Sequence, residues 1–246
     1  MIPVEVCIDA SNIAAVEQAV SAAYRGGAAT VELCAAMHLD GLSPSQGCIT
    51  AARRAFGSRS GLMAMIRPQA GDFYYSPAEL ALMLEQIDTA AAAGADGVVF
   101  GVLRADDQCI DLDATRRLLA AACRHGLQTT MHRAFDATPN PDAALDALID
   151  LGFDRVLTSG MPWGQRGSAL DGVERLARTI ERAQGRIEVV LGGGINPANV
   201  GQLLAKLTLD AGRVSVHAYS GAQIDGQTTV EAVRNLMAAV HARRQS

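Results

Sequence analysis

GLQTTMHRAFDATPNPDAALDALIDLGFDRVLTSG, residues 126–160, holds one complete unit of the fold. Gly126 closes a helix-like run, and Gln128–His132 is extended. A polar loop follows. Asn140-Pro141 then supplies an N-cap residue and a proline at the first helical position, where the missing N–H breaks no intrahelical bond. The helical run 141–151 stops at Gly152, which tolerates the left-handed conformation that ends a helix. Arg155–Thr158 is the next strand. Strand, helix and strand joined this closely imply two parallel strands with a helix packed on them. His132, Arg133 and Asp136 sit together where the first strand of the unit ends.

The same alternation runs along the whole chain. Strands are expected at Val4–Ile8, Thr30–Cys34, Leu62–Arg67, Gly97–Val102, Gln128–His132, Arg155–Thr158, Glu188–Leu191 and Arg213–His217. Helices are expected near 12–25, 45–56, 77–93, 113–124, 141–151, 168–184, 197–206 and 228–243. Ser76-Pro77 and Asn196-Pro197 repeat the Asn140-Pro141 start signal, and Ser76 with Glu79 has capping-box spacing. Gly26, Gly94, Gly126 and Gly152 fall where helices should end. Eight such units in 246 residues predict a closed (β/α)8 barrel, a TIM-type α/β fold, as a single domain over residues 1–246. An open doubly wound sheet is the alternative, and the count of eight favours closure.

Composition narrows the function. The chain is 49% hydrophobic and 19% charged, enough for a large core, with a net charge of −5. Aromatic residues are 4% and no basic stripe is present, which argues against nucleic acid. The start MIPVEVCIDAS is not a signal peptide, and no uninterrupted apolar run reaches membrane-spanning length. Cysteines at 7, 34, 48, 109 and 123 are odd in number and lack CxxC spacing, which fits reduced thiols in a cytoplasmic protein.

In a barrel of this type, sites form at the C-terminal ends of the strands. Residues two apart on a strand share a face. That parity turns Cys7, Glu32, Cys34, Thr130, His132, Ser215 and His217 toward the interior. Val31, Leu33, Met131, Val214 and Val216 turn toward the helices. Glu32, Arg67, His132 and His217 are therefore expected to converge at one mouth, as candidate acid–base and anion-binding residues. Each has a structural alternative: a strand-end histidine often only bonds a neighbour, Glu32 and Arg67 could be a buried ion pair, and Arg133 with Asp136 could brace the loop. Convergence from independent strands favours a functional pocket.

Cys7 and Cys34 end strands that are adjacent in the sequence, about 4.8 Å apart in a sheet. Their sulfurs could share a soft cation such as Cu(I). Equally, they could be small core residues. Cys48, Cys109 and Cys123 read as core or incidental. Gly192, Gly193 and Gly194 ahead of Asn196-Pro197 form the best anion-binding candidate, since phosphate sites in such barrels use this region. A tight turn would explain the same glycines. The one lysine, Lys206, is expected at a helix end away from the mouth, which argues against a Schiff-base or pyridoxal-phosphate mechanism. No HExxH, Walker or G-x-S-x-G motif occurs.

Five collinear stretches carry a family resemblance: VELCAAMHLDGLSPSQG from Val31, IRPQAGDFYYS from Ile66, GVVFGVL from Gly97, MHRAFD from Met131 and RVLTSG from Arg155. Together they closely resemble the CutC family of copper-homeostasis proteins over nearly the whole chain. The resemblance implies a (β/α)8 barrel, a cytoplasmic location, copper binding and a homodimer or higher homo-oligomer. The family's strand-end positions match Cys7, Glu32, Cys34, Arg67, Asp72, His132, Arg133, Asp136 and His217. The chain departs from the family pattern at Gln69, where an arginine is usual, at DGLSPS for GGLTPS, and at Cys48. Three functions stay open: copper homeostasis with Cu(I) held by Cys7 and Cys34, an acid–base enzyme for a small anionic or phosphorylated metabolite, and a non-catalytic binding or chaperone role.

Overall fold

A computed structural model describes residues 1–242. Its eight parallel strands, β1 to β8, close into a barrel in sequence order, with β8 pairing back to β1. The strands are Val4–Asp9, Thr30–Cys34, Leu62–Met65, Gly97–Phe100, Gln128–Met131, Arg155–Thr158, Glu188–Leu191 and Arg213–Ala218. The helices α1 to α8 are Ile13–Gly26, Gln46–Phe56, Pro77–Ala92, Leu112–Arg124, Pro141–Leu151, Val173–Ala183, Val200–Ala205 and Val230–His241. A short antiparallel hairpin, β9 (Gln223–Ile224) with β10 (Gln227–Thr228), precedes α8. The sequence reading did not anticipate it, although Asp225-Gly226 is a hairpin signal. Both residues have positive φ, as a two-residue turn of the I′ type needs.

The start signals act as expected at two helices. Ser76 and Glu79 form a reciprocal capping box on α3, and the Asn140 side chain caps α5. The third fails. Asn196 Oδ1 accepts from Ala198 N at 2.9 Å, while Asn199 Oδ1 accepts from Asn196 N and its amide reaches Gly194 O. The two asparagines hold a turn of their own, so α7 begins at Val200 rather than 197. The helix expected over 168–184 likewise starts late. Asp171 accepts from the Ser168 amide and hydroxyl, making a turn before Val173. The third and fourth strands end at Met65 and Phe100, short of the expected Arg67 and Val102. The last expected helix reaches 243, which lies outside the described residues.

Strand parity holds. Val31, Leu33, Met131 and Val216 belong to the large core between sheet and helices. Cys7, Cys34, Met63, Met65 and Val99 form a separate cluster inside the barrel. Below that cluster the interior is ionic. Arg155, 2% exposed, crosses from β6 to β1, where its Nη1 lies 2.7 Å from Glu5 Oε2. Its Nε lies 3.3 Å from Glu188 on β7. Thr30 donates to Glu5 and Ser215 to Glu188. Burial opposes ionisation of Glu5, but the Arg155 charge and His217 hold its carboxyl well below the usual carboxylate range.

Removing one member of such a network strands the other charges in the interior, which costs about 3–5 kcal/mol. Arg155→Met should therefore lower unfolding free energy in urea by that amount. Adding Glu5→Gln should recover part of the loss. An Arg155→Met protein within about 1 kcal/mol of wild type would show that the interior is wet enough to solvate both carboxylates.

Candidate active and metal-binding site at the barrel mouth

Above the ionic layer opens a cavity of about 350 Å³. Its walls include Cys7, Glu32, Cys34, Met37, Arg67, Phe73, His132, Trp163, Gly192–Gly194, His217 and Tyr219. The four residues expected to converge here do so. Asn196, Asp72 and Asp136 do not line it.

One wall is sulfur and carboxylate. Register places Cys7 beside Glu32 and Asp9 beside Cys34. Cys34 Sγ donates to Glu32 Oε2 at 3.4 Å, and Cys7 Sγ lies 4.0 Å from Met37 Sδ. One donor atom from each of Cys7, Glu32 and Cys34 falls within 4.8 Å of the others. Contact with the Cys7 thiol, burial and the charge of Glu32 push the Cys34 thiol well above its ordinary range. Burial also raises Glu32, helped by the charge of Glu5 and opposed by His217. His217 Nδ1 lies 3.0 Å from Glu5 and its Nε2 3.7 Å from Glu32. Burial works against charging His217, but Glu32 and contacts with Cys7 and Glu5 outweigh it, so its imidazole is held well above the usual histidine value.

Arg67 and His132 also line the cavity. The expected pairing of Glu32 with Arg67 is not formed. Arg67, 1% exposed, instead donates from Nη1 to the carbonyls of Leu39, Asp40 and Gly41 and from Nη2 to Gly71 O. It clips the loop after β2 to the loop after β3, because the chain leaves those carbonyls without helix or sheet partners. His132 answers for the first of the three polar residues that end β5. Its Nδ1 accepts the Ala134 amide at 3.1 Å. Burial, with the Arg67 charge, lowers its pKa to about 3, so the ring is neutral and its proton sits on Nε2. Gly101 makes room for this ring, since a Cβ there would lie 2.9 Å from its atoms.

Arg133 and Asp136 are the brace. They pair with each other, and Asp136 also accepts from Thr158 Oγ1 and from the Ser159 amide and hydroxyl. The end of β5 is thereby tied to the end of β6. Gln69, where the family pattern has arginine, donates to Tyr74 O and adds no charge to the cavity. Lys206 caps the end of α7, and Gly192–Gly194 line the cavity, with α7 starting further along the chain at Val200.

Sequence reasoning missed Glu5, Arg155 and Met37. Signals existed for all three. Glu5 and Arg155 have inward parity within apolar strands. Met37 stands three residues after Cys34, a thiol–thioether spacing.

The neutral His132 has a measurable consequence for stability. The unfolded chain binds a proton at this residue below about 6.5, whereas the folded protein does not until near 3. Its contribution is intact above the unfolded value and is lost as pH falls toward the folded one. By pH 5 this loss amounts to about 2 kcal/mol. The raised Glu32 tilts the same window the other way, so the comparison must be with a His132→Gln variant. Wild type should lose about one proton's worth of stability per pH unit more than the variant between pH 6.5 and 5. Parallel urea titrations check it, and equal slopes would mean that His132 titrates normally in the folded protein.

Comparison with known proteins agrees with this architecture. The model of the CutC family matches residues 2–222. A CutC family protein of Vibrio cholerae is 43% identical over 200 residues, covering 81% of this chain and 74% of the relative. The human copper homeostasis protein cutC homolog is 44% identical over 200 residues, covering 81% of this chain and 68% of its own. The crystal structure of CutC from Streptococcus agalactiae superposes with a TM-score of 0.74 at 29% identity, covering 88% of this chain and 98% of that one. The chain belongs to the CutC family.

Proposed function

We propose that this protein serves copper homeostasis by holding Cu(I) between Cys7 and Cys34 at the barrel mouth, in the cytosol. One observation carries the reading: the thiols of Cys7 and Cys34 lie in one buried cluster with Met63 and Met65, and the half-buried Met37 packs against it. The two thiols are joined there by Met37, whose sulfur is 4.0 Å from that of Cys7. Soft ligands select Cu(I) over the harder divalent ions. Among the described residues the five cysteines are free, so both thiols are available. A cytosolic redox environment would keep them so. The human relative's name, copper homeostasis protein cutC homolog, supports the same assignment. Glu32 and His217 are its natural supports. Glu32 accepts from Cys34, and His217 supplies positive charge beside it, which offsets the negative charge a thiolate pair would bring.

Binding must displace the thiol protons, and the Cys34 thiol holds its proton tightly. Affinity for Cu(I) should therefore rise with pH and fall on acidification toward 5. Cys7→Ser with Cys34→Ser should abolish tight binding, measured by competition with a Cu(I) chelator under argon. Replacing Cys48, Cys109 and Cys123 together should leave it unchanged. Met37→Leu, which keeps the volume and removes the thioether, should weaken binding by about tenfold. Wild-type affinity in the double serine variant would refute the thiol pair.

A further inference from the structure

A second charge in the cavity calls for a different ligand. Arg67 is a buried cation that donates to four backbone carbonyls and has the Tyr75 hydroxyl beside it. Among the described residues no carboxylate lies within ion-pair distance of it. The nearby Tyr75 hydroxyl supplies no negative charge, because burial pushes its pKa up to about 12. A buried charge without a counter-ion is costly, so a site that keeps one has use for an anion. Two hydrogen-bond donors next to it are also unspent. Arg67 Nε and His132 Nε2 are buried without a partner. Because His132 Nδ1 accepts from Ala134, Nε2 is the ring atom that carries hydrogen. Both residues line the cavity.

Stacking fixes the donors in place. The Phe73 ring lies 5.0 Å from that of His132 and 5.2 Å from the Arg67 guanidinium carbon. Trp163 packs edge-on against Phe73. The result is a rigid polar corner with aromatic sides, in a cavity at the small end of the range for metabolite sites.

We propose that His132 Nε2–H and Arg67 bind the oxyanion group of a small metabolite, a carboxylate or a phosphate, at a subsite separate from the thiol pair. The anion neutralises Arg67, accepts the His132 proton donor, and lays its carbon skeleton against Phe73 and Trp163. A neutral imidazole suits the task, since it donates without adding a charge that a neighbouring cation would repel. Gly192–Gly194 form the facing rim, and their smallness keeps the cavity open. A Cβ on Gly193 would come within 2.7 Å of Ser159 at a φ of +101°, so a variant there would report strain rather than binding.

The test uses full-length protein, free of metal, with inorganic phosphate and acetate titrated separately against chloride at constant ionic strength. Either anion should raise the melting temperature, and the stronger of the two identifies the ligand as a phosphorylated compound or a carboxylic acid. His132→Asn retains a side-chain acceptor for the Ala134 amide but loses the reach of Nε2. It should weaken binding about tenfold or more. His132→Gln restores an N–H at that reach and should bind within about threefold of wild type. Nitrogen NMR of histidine-labelled wild type supplies a readout independent of any variant. The His132 Nε2 signal should have the protonated form and should move on addition of the anion. The Cys7→Ser, Cys34→Ser protein should bind the anion as wild type does, which separates this subsite from the copper site. The proposal falls if neither anion stabilises the protein, if the Nε2 signal is unmoved at saturation, if His132→Asn binds like wild type, or if anion binding is lost with the thiols.

Discussion

Arg155 reaches across the barrel from β6 to Glu5 on β1, and much of the site rests on that contact. The two strands are not neighbours, so the pair acts as a strut through the interior rather than a bridge along the sheet. It fixes Glu5 as an anion, and Glu5 in turn positions His217 through a 3.0 Å contact with Nδ1. His217 then faces Glu32, which accepts from Cys34. A chain of alternating charge thus connects the floor of the barrel to the thiols at its mouth. Apolar residues of similar size would pack the floor at less electrostatic risk. They could not set the orientation of His217 or supply the negative charge that keeps it protonated.

The strand–helix alternation and the parity of each strand are local properties, so the barrel and the convergence of Glu32, Arg67, His132 and His217 were legible from residue order. Partners were not. Glu32 and Arg67 point into one cavity, yet Arg67 spends four hydrogen bonds on carbonyls of the loops. Which loop carbonyls lack partners depends on how two loops fold over one another, and no periodic pattern records that. Asn196 failed for a related reason. The same dipeptide signal caps α5 at Asn140 but is overridden by Asn199 three residues later, whose side chain captures the Asn196 amide. Glu5 and Arg155 had visible parity. What was missing was the recognition that two inward charges on distant strands meet when the sheet closes.

The three residues that end β5 illustrate how support and chemistry are divided. Arg133 and Asp136 satisfy each other and the start of the loop after β6, with Arg133 also lining the cavity. Because that brace holds the turn, His132 needs only one bond, to Ala134, to fix its ring. Its other nitrogen is left free for the cavity. A histidine that carried the loop by itself would have both nitrogens engaged and nothing to offer a ligand.

The mouth is therefore divided electrically. On one side stand the Cys34 thiol and the Glu32 carboxyl, both raised in pKa, beside a single imidazolium. On the other stand a guanidinium without an anion and a neutral imidazole with an unused proton. A metal bound as a cation on the first side and an oxyanion on the second would each meet the field they require. Neither would compete for the other's ligands. Each would also strengthen the other by Coulomb attraction, which is screened less in a protein cavity than in water. Such mutual support is reciprocal by necessity: whatever the anion adds to copper affinity, copper adds to anion affinity by the same factor. With both proposed ligands bound, the occupancies of the two sites would be linked through the field between them, with no moving part required.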